Sequence, residues 1–425
     1  MSLTSQRPTD ASATEDEPAT DRSAFAILRN HDFRLFWIGA CVSFIGSWVQ
    51  MIAMGLLVYH MTHSKAWLGT IGLAGGLPTT LFMLFGGVIA DRVNKRTLVT
   101  WTQSLFALNA VALAILVWTG TIQIWHLVVL AGVNGLVFAA DGPARQAMIY
   151  DLVGREDLAA GVALQSAAFN VARIIGPVVG SLIYTTLGAG WCFFLNGVSF
   201  IAIIFAILLI RTDLTQRGDT SASVWLGLVE GLRHLRSNGP MKSVVGLTAM
   251  TSVFAFSVYG TLMPALADEM LGIGESDRRY GLLFSAIGLG SVTGAYLVGR
   301  FAAAEKRGAL MVTGANLFAV ALLALAATTH LIPALLLFAL IGLAAIAQLA
   351  TANSLTQSLA PEHLRGRAVS AHMFAMGGLQ PLGSFVAGFV AERWGVPRAI
   401  AFGAGVFWVY LWILMLRRPE VTRLA

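Results

Sequence analysis

Charge is what this chain of 425 residues has least of: Asp, Glu, Lys and Arg together make up 12% of it. A water-facing domain carries about 25%. Half that density over so long a chain cannot clothe a soluble surface, so the composition is that of a polytopic membrane protein. Cysteine is nearly missing as well. Cys41 and Cys192 fall at opposite ends of their apolar stretches, and a disulfide needs Cα atoms within about 7 Å, so both are expected to be free. There is no Cys/His cluster with metal-ligand spacing, no nucleophile elbow, no pair of catalytic carboxylates and no Walker sequence. Neither an enzyme, a metal, a cofactor nor ATP as energy source is expected. Zinc-finger spacing and basic tracts interleaved with aromatics are also missing. The formal charge of +6 is therefore read not as nucleic-acid contact but as orientation, because Lys and Arg collect in cytoplasmic loops. No short apolar run with a small-residue cleavage site opens the chain, so no removable signal peptide is expected.

What is present is apolar: 56% of residues are hydrophobic, gathered into blocks. A spanning helix needs about 20 apolar residues, and about twelve such blocks occur. In the first half they cover 34–60, 67–90, 97–118, 123–148, 157–187 and 190–210. In the second they cover 240–267, 279–300, 308–330, 332–357, 366–391 and 396–416. Long blocks rather than short alternating ones exclude a β-barrel. With the N-terminus inside, the loops place Arg92, Lys95, Arg96, Arg145, Arg155, Arg211, Arg233, Arg300, Arg307 and Arg417, among others, on one side. The other side receives only Lys65, Arg278, Arg279, Arg393 and Arg398. This asymmetry predicts N-in, C-in and an even number of crossings.

The expected organisation follows. Residues 1–33, polar and rich in Ser, Thr, Asp and Glu, form a disordered cytoplasmic tail. Residues 34–210 and 240–417 form two six-helix halves, and 418–425 a short cytoplasmic tail. In the linker 211–239, Val224, Leu228, Leu232 and Leu235 recur at helical spacing among Glu230, Arg233, His234 and Arg236. That pattern predicts an amphipathic helix, lying on the cytoplasmic membrane face or solvated as an ordinary linker. The halves look related. "LVGREDLAAGVA" in one and "LAPEHLRGRAVS" in the other each precede a span with a central proline, in "GPVVGS" and "QPLGS". Matched halves are a sign of transporters built from structural repeats, with the site at their interface.

After the second block comes "GGVIADRVNKRTL": Gly87, then Asp91 and Arg92, then Lys95 and Arg96. This resembles the signature loop between helices two and three of the major facilitator superfamily. The resemblance implies the major facilitator fold and a cytoplasmic latch in which Asp91 and Arg92 close against the second half. Asn94 stands where members usually have a second glycine. The matching loop of the second half keeps Gly294, Arg300, Lys306 and Arg307 but has no aspartate, so the latch is expected to be one-sided. The runs "FRLFWIGACVSFIGSWVQ", "DGPARQAMIYDLVGREDLAAGVALQSAAFNVARIIGPVVG" and "CFFLNGVSF" are similar to a bacterial branch of the superfamily labelled transmembrane secretion effector or enterobactin-exporter-like, grouped with drug–proton antiporters. The resemblance implies small-molecule export coupled to protons.

Within "FNVARIIGPVVG", Arg173 is a permanent cation near mid-membrane, where an isolated charge costs from about 3 to over 10 kcal/mol. It must face a polar cavity or a partner. Asp141 in the fourth span is the expected partner, either as a charge relay, with Asp141 changing protonation and Arg173 contacting substrate, or as a structural bridge. Gly176, Pro177 and Gly180 resemble the antiporter element Gly-Pro-x-x-Gly-Gly, with Ser181 replacing the last glycine; the resemblance implies that it packs helix five against the other half. Gln50, Asn134, Arg145, Asn170 and Gln348 are further candidates for coupling or substrate contact, though an amide in a span more often makes an interhelical hydrogen bond than binds a ligand. Asp268 and Glu269 are read as solvated or as an outer gate, and His372 as a lone histidine without a metal role. The expected protein is a monomeric secondary transporter in the bilayer, taking a small amphipathic substrate, with protons as coupling ion. The competing expectations are a sensor or assembly partner on the same scaffold, an importer, or a lipid transporter.

Overall fold

A computed structural model describes residues 24–212, 214, 238–274, 277–301 and 307–424. Among the described residues there is no strand, and 11 helices are long and apolar enough to cross a membrane. They are α1 (His31–Thr62), α2 (Lys65–Arg92), α3 (Lys95–Trp118), α4 (Ile124–Leu187), α5 (Ala189–Leu209), α6 (Gly239–Leu271), α7 (Tyr280–Phe301), α8 (Arg307–Ala326), α9 (Leu331–Ser358), α10 (Arg365–Trp394) and α11 (Val396–Arg417). Trp101, Phe205 and Leu416 are 65%, 63% and 79% exposed, an outward apolar face that water would not tolerate and lipid covers.

The fourth and fifth blocks form one element. α4 has 64 residues, about 96 Å at 1.5 Å per residue, three times the ~30 Å hydrocarbon core. Its path breaks at Gly154, with φ 75° and ψ −179°, a region open only to glycine. Two arms, 124–153 and 155–187, leave that break. Helical order also starts ahead of the expected boundary at residue 33: residues 24–29 form a 3-10 turn, and Asn30 caps α1 by accepting from the Asp32 and Phe33 amides at 3.0 and 3.1 Å. Most of the linker, including the expected amphipathic helix, lies outside the described residues.

Small residues set the packing. Gly135 on the first arm of α4 lies against the Gly75 carbonyl of α2, and Gly86 of α2 against the Ala139 carbonyl; neither leaves room for a Cβ. The second half repeats the arrangement, with Gly290 of α7 against Ala339 of α9 and Gly342 of α9 against Ile287 of α7. In each half two helices thus meet backbone to backbone, α2 with the first arm of α4 and α7 with α9. Two π-helical stretches, Thr251–Phe256 in α6 and Phe374–Gly378 in α10, face each other, with the Ser252 hydroxyl donating to the Met376 carbonyl. Such widened turns leave carbonyls free for side-chain donors.

Candidate functional site: a one-sided seam and a buried charge pair

Asn94 explains its own departure from the family pattern. Its side chain accepts from the Thr97 amide at 3.3 Å and caps α3, which glycine could not do. The basic pair that follows it is held inside the first half. Lys95 Nζ meets the Asp151 carboxylate at 2.6 Å with both side chains buried, and Arg96 donates to the Ile210 and Thr212 carbonyls at 2.6 and 3.0 Å. The Asp32 carboxylate receives the Arg211 and Thr212 amides at 2.9 and 2.8 Å, tying α1 to the end of α5. Arg92 is exposed. Gly87 and Asp91 lie in α2, but their surroundings fall outside the described residues, so the expected latch through Asp91 does too.

At the other end, around the α1–α2 turn at His63, polar groups cross between halves. Lys65 pairs with Glu269 of α6. The Tyr59 hydroxyl lies 3.3 and 3.2 Å from the Asp268 and Glu269 carboxylates and shares its one hydrogen between them. Glu392 of α10 receives the Lys65 and Ala66 amides at 2.7 and 3.2 Å and the Ser64 hydroxyl at 3.1 Å, a carboxylate on the N-terminus of α2. Asp268 and Glu269 are therefore bonded across the halves rather than merely solvated. The seam continues along the helices away from His63. Ser181 donates to the Arg278 carbonyl at 3.1 Å, Ser285 to the Ile174 carbonyl at 2.5 Å, and Thr80 to the Gly378 carbonyl at 3.2 Å. The cross-half hydrogen bonds described reach as far from His63 as Thr80–Gly378 and Arg173–Ser291.

The helix-five motif works on two faces. Gly176 and Gly180 receive Trp48 and Val49 of α1, in their own half, which corrects the expectation that the whole element packs on the other half. Only Pro177 and its neighbours do that: the Pro177 carbonyl abuts Gly281 of α7 and Ile174 abuts Gly288. Ser181, where the family has glycine, supplies a cross-half hydrogen bond.

The expected Asp141–Arg173 pair does not form. Asp141 binds Arg145, one turn along the same helix, with Nε to Oδ2 at 2.9 Å. Its other oxygen accepts from Thr102 Oγ1 at 2.6 Å and Gln103 Nε2 at 2.7 Å. Asp141 and Arg145 are 3% and 8% exposed, and the guanidinium lies 5.7 Å from the Phe44 ring centre. Arg173 instead crosses the seam to the Ser291 hydroxyl of α7. Among the described residues it has no carboxylate partner.

The amide candidates divide in the same way. Gln50 accepts from Asn196 at 2.7 Å in the interior of the first half. Gln348 donates to Thr251 in the interior of the second. Asn170 donates to the Ser166 carbonyl on its own helix at 2.8 Å. Asn134 is half-buried. The structure thus gives Gln50 and Gln348 interhelical bonds instead of a place on a cavity wall, because each completes a hydrogen bond that lipid or apolar packing would leave unmade. His372 is buried against Thr248 at 3.5 Å, and no group of metal-ligand residues occurs among the described residues. A groove of about 480 Å³ between α6 and α11, lined by Met250, Phe402, Tyr410 and Ile413, contains none of the candidate residues.

Glu392 and the Asp141–Arg145 partnership were missed by sequence reasoning. Glu392 carries no local signal. The four-residue spacing of Asp141 and Arg145 is the spacing of helical ion pairs and was available.

This arrangement, an all-helical bundle with buried charges at its centre, is that of a multi-pass membrane transporter of the major facilitator type. Residues 22–424 match the family of transmembrane secretion effectors, and the chain belongs to that family. Its relatives include the multidrug efflux pump Tap of Mycolicibacterium fortuitum, 26% identical over 85% of this chain and 90% of that one. The staphyloferrin A transporter of Staphylococcus aureus is 23% identical over 87% of this chain and 91% of that one. The enterobactin exporter EntS of Salmonella typhimurium is 25% identical over 80% and 81%. Among solved structures, the nucleoside transporter NupG superposes with TM-score 0.76 at 11% identity, over 91% of this chain and 98% of that one. A bacterial Spinster homologue, inward-facing and occupied, superposes with TM-score 0.71 at 15% identity, over 93% and 97%. These two show the fold alone. The protein is a transporter of the cell membrane.

Proposed function

We propose that the protein is a proton-coupled exporter of small amphipathic molecules, drug-like compounds or a siderophore, working as a monomer by alternating access. In this reading the two arms of α4 cross the membrane separately, giving twelve crossings with both termini inside. The His63 end is then external and sealed, and the Asn94 end cytoplasmic and open. The observation that carries the proposal is the set of polar bonds between halves at the His63 end, beside signature-loop cations, Lys95 and Arg96, that bond to Asp151, Ile210 and Thr212. The names of the relatives Tap and EntS support export. Asp141 is the proposed proton carrier. Ionised, it holds Arg145, Thr102 and Gln103; protonated, it releases the guanidinium and loosens α4 from α3. Arg173 is the proposed substrate contact, one turn from Phe169, whose ring centre lies 5.5 Å from that of Phe44; Arg145, buried against Asp141, is the cation that protonation frees.

The test compares small-molecule pools inside cells and in the medium for strains lacking and over-producing the protein, in iron-poor and iron-rich growth. A compound retained without the protein and enriched outside with it, by flux that a protonophore stops, supports the reading. Flux into the cell, or flux indifferent to the protonophore, contradicts it.

A further inference from the structure

Arg173 brings a full charge to the inner edge of the seam, and its partner there is neutral. The Ser291 hydroxyl has other partners: it donates to the Ile287 carbonyl at 2.8 Å and lies 3.3 Å from the Gly342 carbonyl. A hydroxyl has one hydrogen to give, and these carbonyls take it. Toward Arg173 it offers only a lone pair. The two ends of the contact therefore have unequal needs. Ser291 stays satisfied if Arg173 leaves, whereas a guanidinium at this depth is not satisfied by one hydroxyl.

The surroundings are built for an amphipathic ligand. One turn before Arg173 on the same helix, Phe169 is 43% exposed, with Phe44 at 5.5 Å and Trp48 at 6.0 Å between ring centres. Pro177 has no N–H for the Arg173 carbonyl, so the helix is loosened at the turn that carries the cation.

We infer that Arg173 is an anion-binding residue: the substrate carries a carboxylate or an equivalent acidic group beside an aromatic or apolar body, and this anion displaces Ser291 from the guanidinium. The inference rests on the transporter reading and adds the substrate class. A charge-assisted hydrogen bond is roughly twice as strong as a neutral one, so the exchange favours the anion. It also couples binding to motion. Arg173 is on the first half and Ser291 on the second, so occupation of the site removes a bond that holds the halves together, and the seam is released when substrate is present.

The experiment measures equilibrium binding of 1-naphthoate and its uncharged analogue 1-naphthamide to the full chain in lipid nanodiscs, by quenching of tryptophan fluorescence at neutral pH. Binding is read without transport, so a failure of the export proposal in flux assays is separable from a failure here. In the natural chain, naphthoate is expected to bind at least tenfold more tightly than naphthamide. Arg173→Met removes that ratio, and Arg173→Lys keeps part of it. Ser291→Ala, which leaves the cation in place, keeps or raises the ratio. Equal binding of the two probes by the natural chain overturns the inference. So does a naphthoate preference that survives Arg173→Met or disappears in Ser291→Ala.

Discussion

Asp141 and Arg145 stand one helical turn apart on the first arm of α4 and hold each other at 2.9 Å, in a place solvent scarcely reaches. The pair is costly to break from one side, since the survivor is a buried charge without compensation. Removing the carboxylate therefore has two separable consequences, one for stability and one for coupling.

Asp141→Asn is expected to abolish uphill transport and to destabilise the protein by about 3 kcal/mol, the cost of stranding Arg145. Asp141→Asn combined with Arg145→Gln recovers most of the stability and none of the uphill flux. Thermal denaturation of the purified variants, read beside flux, checks both. Uphill flux in Asp141→Asn would end the proposed proton role.

Lys65, Glu269 and Glu392 close the His63 end. Their bonds must part whenever that end opens, so Lys65→Ala is expected to shift the population toward the open form. A shift of about 1.4 kcal/mol is tenfold in the population ratio. A cysteine placed at Ser181, with Cys41 and Cys192 replaced by serine, should then react several-fold faster with a membrane-impermeant maleimide. Unchanged reactivity would mean that these bonds do not hold the seam.

Asp277 sits in the loop whose carbonyls receive Ser181. Bonding to the Arg279 guanidinium, above all, holds its carboxyl below the usual carboxylate range. A lowered folded value means stability that is present above the unfolded value of about 3.9 and lost as pH falls through the folded one. Arg279→Ala moves that acid transition upward, toward about 3.9. The pH dependence of the Asp277 side-chain carboxyl resonance in carbon-13 NMR measures it; an unmoved transition would show that Arg279 does not hold Asp277.

Gly135 and Gly342 occupy equivalent crossings with no space for a methyl group. Gly135→Ala and Gly342→Ala are each expected to cost about 1–3 kcal/mol through forced helix separation. Gly142→Ala, where nothing approaches, costs far less. Melting temperatures of the three variants rank them.

Hydropathy made the spans legible to within a few residues at most ends, because a bilayer demands long apolar helices whatever their partners. It could not foresee that the fourth and fifth blocks join through Gly154, since the break lies in one backbone dihedral and not in composition. Within the site, Arg173 was legible as a cation needing a partner, yet the partner was not. Spacing along the chain points to Asp141 in the same half, whereas the contact reaches Ser291, 118 positions away. The Gly176–Gly180 element showed that helices pack closely there, but not that its glycines face α1. Cross-half partners such as Glu392 arise only when the halves are assembled, and no local spacing marks them.

The central claim is that the halves rock about the buried site, opening one end as the other closes. It is tested most directly by pulsed electron paramagnetic resonance on the full chain in nanodiscs. One spin-label pair spans the seam at His63 and Arg393; a second spans the opposite end at Arg155 and Arg300. Acidification is predicted to lengthen the first distance and shorten the second, in one population that exchanges with the other. Distances that stay fixed, or that lengthen together, would contradict alternating access and leave a rigid scaffold.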